Sequence, residues 1–438
     1  MKARLKEIYQ QNKDLALIHI LYVVYRTVAD FWRNTVAAVR LLHWKFEKHE
    51  TNRPIRVCFL QQDPNCWNKS KALYELMVTD PRFEVNLLCV PDPFDANTGM
   101  TYDYFATKQY DCIDARVGNG PWSTMEDEGE WFDLRSLKPD YVFYQQPYDH
   151  YLPSAYRSRA VSEYAKICLT LYGLALTKEL LSCLEVGFLR RVYCLYAVSE
   201  AEREYNENRF QWSHRMGIRK SKYLGTLVFS EFLRAKEQAS PSWAFSRNNF
   251  RVIWTPRWTT DEKLGGSNFF RYKDFLLDYA EGHADVDILF RPHPMAFDNF
   301  VRAGQMTQQE VDAYVSRIQN NSNTSLDVEK NYDASFWRSN VLVTDISAII
   351  VEYFVTGNPI IFCETEKRGC TYLEFFEKIL SVCYVAENQQ QVEAYLDQLK
   401  QGDDPLREQR QEMIHRLFGE NLSRTASAII EDLVKDFV

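Results

Sequence analysis

One stretch constrains this chain more than any other: Asn340 to Glu364, NVLVTDISAIIVEYFVTGNPIIFCE. Val341, Leu342 and Val343 read as a short buried strand ending at Thr344-Asp345. Ile346, Ile349, Ile350, Tyr353 and Phe354 then take up helical spacing. Gly357-Asn358-Pro359 stops that helix, and Ile360-Ile361-Phe362 reads as a second buried strand. A strand, helix and strand in this order form a parallel unit, and the turn after its first strand faces the ligand crevice of such sheets. The residues around Ser347 and Ala348 open the helix and suit a phosphate. The plainer alternative is that Asp345 or Ser347 only caps a core helix.

Other segments repeat the pattern. Ile55–Leu60, Phe83–Val90, Tyr110–Ile113, Tyr141–Tyr144, Ile167–Leu171, Arg191–Val198 and Lys222–Leu227 read as strands, with helices over 69–78 and 200–206 among them. After a Ser-, Pro- and Asn-containing linker over 236–249, strands resume at Phe250–Trp254 and Val286–Phe290 around a helix over 269–279. The fold class expected is α/β: two Rossmann-like, doubly wound domains facing a cleft, the GT-B-like layout of many sugar-nucleotide transferases. The expected domains are 51–235 for the acceptor and 250–403 for the donor nucleotide, with closing helices over 404–438.

Residues 1–50 differ from the rest. Leu15–Tyr25 is apolar apart from His19 but is shorter than the ~20 residues that span a bilayer. On a helical wheel His19, Tyr22, Arg26, Asp30, Arg33 and Arg40 make one narrow polar stripe, with Trp32 and Trp44 as candidate interface anchors. The segment 15–46 is expected to lie on an anionic membrane surface or to pack as a helix on protein, and no cleavage site marks a signal peptide. The net charge of −8 argues against nucleic acid as a partner. The ten cysteines include no CxxC pair or zinc-type cluster and read as reduced core thiols of a cytoplasmic protein.

In the second half, three loops at strand ends carry groups suited to a diphosphate. These are Arg257, the Arg291-Pro-His293-Pro turn, and Asp345 to Ala348. A histidine between two prolines is also a common turn residue. The segments Trp254–Thr259 (WTPRWT), Phe290–Pro294 (FRPHP) and Val343–Phe362 (VTDISAIIVEYFVTGNPIIF) resemble, in order and spacing, motifs of the CDP-glycerol glycerophosphotransferase family, the teichoic acid primases and polymerases.

The resemblance covers residues 140–370. It implies transfer of an alditol phosphate from a CDP-linked donor to a lipid-linked or polysaccharide acceptor, on the inner face of the cell membrane. It implies that His293 contacts the donor diphosphate, that Asp345, Ser347 and the following helix cradle it, and that Arg257 and Arg291 neutralise charge. Where the family has His-Gly, with the histidine as the base, this chain has Tyr172-Gly173. A tyrosine with a pKa of about 10 is a poor base at neutral pH. Asp63, Asp149 and His150 on neighbouring loops are the candidate replacements, with turn stabilisation as their other reading. No cofactor is required, no acidic cluster demands a metal, and Mg²⁺ is compatible with the chemistry. Two other readings remain: a glycosyltransferase using a nucleotide sugar for capsule or lipopolysaccharide, and a catalytically silent scaffold.

Overall fold

The computed structural model describes residues 16–47, 52–93, 99–171, 173–238, 243–329, 332–366, 369–419 and 421–438. Tyr172 lies outside them, as do parts of the expected N-terminal segment and of the linker. Strands β1 (Ile55–Gln61), β2 (Phe83–Cys89) and β3 (Ile113–Asp114) open the first sheet. After a small ribbon of β4 (Arg116–Val117) and β5 (Glu130–Trp131), it continues through β6 (Tyr141–Tyr144), β7 (Lys166–Thr170), β8 (Cys194–Tyr196) and β9 (Lys220–Lys222). Its order is β3-β2-β1-β6-β7-β8-β9, all parallel. The second sheet comprises β10 (Phe250–Thr255), β11 (Val286–Phe290), β12 (Thr324–Leu326), β13 (Val341–Thr344), β14 (Ile360–Cys363) and β15 (Tyr384–Ala386). Its order is β12-β11-β10-β13-β14-β15, again all parallel.

Both sheets therefore run outward in two directions from their first strand. This places a topological switch point between β1 and β6 in one and between β10 and β13 in the other, where α/β sheets open a crevice. Near-continuous burial of the strands fits sheets covered on both faces. In the first sheet, Phe59, Phe143 and Cys168 face one core with Trp67 and Tyr74, while Leu60, Tyr144 and Leu169 face the other. That second core runs on to Leu342, Ile350 and Phe362 of the other sheet, joining the two halves by apolar contact. The last helix, Asn421–Phe437, returns to the first sheet: Ile429, Ile430 and Leu433 enter its core, and Asp436 accepts hydrogen bonds from the hydroxyls of Tyr141 and Tyr193 at 2.7 and 2.8 Å.

Several expected elements differ. The strand expected at Tyr110–Ile113 begins only at Ile113, because Tyr110 stacks edge-on against Trp67 and Phe105 instead. The strand expected at Lys222–Leu227 lies at Lys220–Lys222, and Leu227 packs into the core after the turn. The helix of the 340–364 unit starts at Ile349 and ends at Phe354, so its six residues carry a shorter dipole than expected.

Helix α1 (Ala16–Leu41) seats Ala38 and Leu41, followed by Trp44, in the first domain's core. Trp44 is thus a core residue and not an interface anchor. Earlier in the helix, Leu21, Val24, Val28, Phe31 and Trp32 are exposed, the last two by 67% each. Arg190 ties the helix down, donating to Asn34 Oδ1 at 2.8 Å and to Asp30 Oδ1 at 2.9 Å. Among the described residues no helix is long and apolar enough to cross a membrane.

Candidate active site

The register of the second sheet brings its three loops together. Thr255 pairs with Thr344 and Trp254 with Phe290, so Arg257, Arg291 and Asp345 all emerge just beyond one sheet edge, at the switch point. Asp345 is fully buried and organises this edge. Its Oδ1 accepts the backbone N–H of Arg257 at 2.5 Å and its Oδ2 that of Asn268 at 2.8 Å. Burial pushes its pKa up to about 7, against those two bonds and the nearby Arg257 charge. The carboxylate therefore knits two loops together and has no oxygen turned to a ligand by these bonds. Gly265 closes the loop with φ +105°, where a Cβ would stand 2.4 Å from Ile346 Cγ2.

Arg257 is 8% exposed and donates from Nη1 to the carbonyl of Ile346 at 2.8 Å. Its Nε is buried without a hydrogen-bond partner, and burial lowers its pKa. A buried guanidinium with an N–H still to satisfy is a place for an anion. His293 sits at the mouth of this edge, its ring 5.8 Å from that of Trp258. Its Nδ1 accepts the Met295 N–H at 3.1 Å, which leaves Nε2–H as the donor of the neutral imidazole. Crowding and then the Arg257 charge hold its pKa below the ordinary value, favouring that neutral form. Ser347 and Ala348 are half-buried on the adjacent turn. Arg291 is turned elsewhere: it contacts Asp327 at 2.9 Å, donates to the Glu329 carbonyl at 2.8 Å and lies 4.8 Å over the Tyr332 ring.

The residues of the first half are dispersed. Asp149 accepts both the N–H and the hydroxyl of Ser158, at 2.6 and 2.7 Å, which fixes the turn into the next helix. His150 is exposed, with Nδ1 3.3 Å from Glu185 Oε2. Asp63 is half-buried and accepts the Cys66 thiol at 3.3 Å. What does cross the cleft was missed in the sequence. Lys69, just after β1, donates to Glu352 Oε1 at 2.7 Å, and the Tyr332 hydroxyl donates to Glu352 Oε2. Glu352 is 5% exposed within the otherwise apolar helix Ile349–Phe354. A lone carboxylate in such a helix was the available signal, since a buried charge needs a partner from elsewhere. Among the described residues no group of three or more His, Cys, Asp or Glu is placed to hold a metal ion.

Two doubly wound sheets with switch-point loops carrying cations and turn residues define a GT-B-like protein, the architecture of many group-transfer enzymes. Within that class, residues 240–435 match the family model described as CDP-Glycerol:Poly(glycerophosphate) glycerophosphotransferase. That segment takes in the second sheet and most of the helices that follow it. Among solved structures, the chain is similar to UDP-GlcNAc 2-epimerase from Neisseria meningitidis bound to UDP-GlcNAc, with 13% identity, 87% of this chain and 100% of that chain covered, and a TM-score of 0.59. It is also similar to the UDP-GlcNAc 2-epimerase from Methanocaldococcus jannaschii, at 11% identity, 87% and 100% coverage and a TM-score of 0.54. The wall teichoic acid polymerase TagF matches over 94% of this chain and 98% of that chain, at 17% identity and a TM-score of 0.52. These identities make the likeness one of fold. No curated protein sequence matches the chain.

Proposed function

We propose that the protein transfers glycerol phosphate, or another alditol phosphate, from a CDP-linked donor to a lipid-linked or polymer acceptor in bacterial surface-polymer synthesis, of the teichoic acid kind. The observation that carries this reading is the convergence of His293, Arg257 and the Ser347 turn at the switch point of the second sheet, inside the segment that matches the glycerophosphotransferase family. An acceptor hydroxyl attacks the β-phosphorus in line, and CMP leaves. Phosphoryl transfer asks chiefly for positioning and charge neutralisation. The Nε2–H of His293 and the unpartnered Nε–H of Arg257 suit the diphosphate oxygens. Asp345 serves by holding the Arg257 and Asn268 loops.

The exposed apolar flank of α1, with Arg26, Arg33 and Arg40 on its polar side, suits the anionic inner face of the cell membrane, where lipid-linked acceptors are met. The test is nucleotide release by the purified protein given CDP-glycerol, CDP-ribitol or a panel of nucleotide sugars, with membrane extract as acceptor. CMP from a CDP-alditol, abolished in His293→Ala, is the expected result. UDP or CMP released only from a sugar nucleotide would replace the reading with glycosyl transfer on the same fold.

A further inference from the structure

On the side of the first domain away from its crevice, arginines gather beside α1. Arg190 and Arg219 stand just before β8 and β9, at the sheet edge opposite the switch point. Arg190 donates to Asp30 and Asn34 of the helix, and Arg33 lies 3.6 Å from the same Asp30. Burial lowers the Arg190 pKa, Asp30 opposes that, and the charges of Arg33 and Arg209 lower it further, so both arginines are its neighbours. Arg219 is 3% exposed; it donates to the carbonyls of Leu189 and Arg190 and lies 4.2 Å over the Phe210 ring. Among the described residues, Asp30 is the one carboxylate in ion-pair contact with any of these four arginines.

Arg209 is the least satisfied of the group. Among the described residues its one hydrogen bond runs from Nη1 to the Tyr205 hydroxyl at 3.4 Å, and its Nε is buried without a partner. A guanidinium carries five N–H groups, so this fork has donors to spare for an anion. The segment that follows turns apolar groups outward: Trp212 and Met216 are 47% and 45% exposed. Lys45 ties that segment to the end of α1, its Nζ donating to the Met216 carbonyl at 2.7 Å, and Phe46 beside it in the chain is exposed. Residues 209–216 are thus held to α1 near Asn34 at one end and at Lys45 at the other. A basic face set among exposed rings, on a chain of net charge −8, complements an anionic surface.

We propose that Arg209 and Arg33, both neighbours of Arg190, bind phosphates of anionic lipid headgroups, and that Trp212 and Met216 enter the same leaflet alongside α1. This rests on the membrane reading of α1 above and adds to it a second contact from the folded body of the domain. Lipid is the phosphate source because the cations share their face with exposed aromatic and thioether side chains, which a soluble phosphate would leave in water. Two contacts from separate segments also fix how the first domain stands over the bilayer, whereas a lone helix leaves rotation about its own axis free. Arg190 and Arg219 are positioning residues here, the first docking α1 and the second holding the end of helix Val186–Leu189.

The experiment is sedimentation of the full chain with vesicles of phosphatidylcholine, alone or mixed with phosphatidylglycerol. Arg209→Gln is expected to weaken binding to the mixed vesicles about fivefold, to flatten its salt dependence, and to leave binding to phosphatidylcholine unchanged. Trp212→Ser with Met216→Ser is expected to weaken binding to both vesicles about tenfold. Should Arg209→Gln shift the thermal transition, Arg33→Gln, on a side chain 40% exposed, carries the same expectation. Wild-type binding by both arginine variants, with Phe31→Ser/Trp32→Ser weakened, overturns this site and leaves the α1 reading standing. Wild-type protein that sediments with neither vesicle overturns both. Saturable binding of glycerol 3-phosphate without vesicles, lost in Arg209→Gln, would assign the site to a soluble phosphate, and a dimer broken by Trp212→Ser would assign the face to a second copy; either result overturns the lipid assignment.

Discussion

The two switch points make an instructive pair. In the second sheet the loops beyond β10 and β13 are bound to one another: Asp345 takes the N–H groups of Arg257 and Asn268, and Arg257 reaches the Ile346 carbonyl. In the first sheet the equivalent position, beyond β1 and β6, holds buried amides of Gln61 and Gln145 with atoms left unmatched. The same strand topology thus carries loops tied to one another on one side and a closed row of buried, unmatched amides on the other. A cradle of this kind suits a ligand of fixed shape and charge such as a diphosphate, because pre-set donors cost no reorganisation during reaction.

Substitutions can break this comparison, and the largest effect is expected at His293. His293→Ala should lower CMP release about 10²- to 10³-fold while leaving the thermal transition in place, measured by kinetics and calorimetry side by side. Asp345→Ala should act on stability, costing about 2–4 kcal/mol in denaturant unfolding, because two buried N–H groups lose their acceptor. The matching cut in the first sheet, Gln145→Met, should hold or raise stability, since its amide forfeits no bond. A loss of stability there as large as at Asp345 would show that these amides are hydrogen-bonded in the folded protein.

A pH series sharpens the same contrast. Burial raises Asp345 to about 7 and Glu202, in the first domain, to about 8. A carboxyl with a raised folded-state pKa binds its proton more tightly when folded. Its contribution is therefore present at low pH and lost as pH climbs through the folded value. Wild-type stability should fall from about pH 4, where these carboxyls ionise in the unfolded chain, to about pH 8; Glu202→Gln should flatten the stretch above about pH 7 and lessen the slope below it, and Asp345→Asn should lessen the slope below about pH 7 only. Smaller again is the expected effect at the membrane: Phe31→Ser with Trp32→Ser should weaken binding to anionic vesicles about tenfold, read by sedimentation, with turnover on soluble acceptor intact. The smallest is at His150, which is exposed, with its ring beside Glu185 and Tyr151. His150→Ala should leave CMP release within about twofold.

The sequence announces the second sheet better than the first, for physical reasons. Val341–Thr344, Ile360–Cys363 and Val286–Phe290 are continuous apolar runs closed by turn residues, so their bounds are legible within a residue or so. The three-residue strands Thr324–Leu326 and Tyr384–Ala386 are too short to show a period and were not foreseen. The aromatic Tyr110 imitates a strand residue although it serves core packing. At the site, His293, Arg257 and the Asp345 turn could be named because each follows its strand directly. The partnership of Lys69 with Glu352 spans 283 residues and depends on how the two halves meet, which no local pattern encodes. The bonds of Asp345 to the Arg257 and Asn268 N–H groups lie within the second half but join residues 77 to 88 positions apart, which no local pattern shows.

The most direct test of the donor cradle is amide hydrogen exchange with and without CDP-glycerol. The cradle predicts new protection at Arg257, Met295 and residues 346–349, with the 145–151 loop of the first sheet unchanged. Protection appearing first at the 145–151 loop, with the Arg257 and Ser347 turns unaffected, would contradict the placement of the donor on the second sheet.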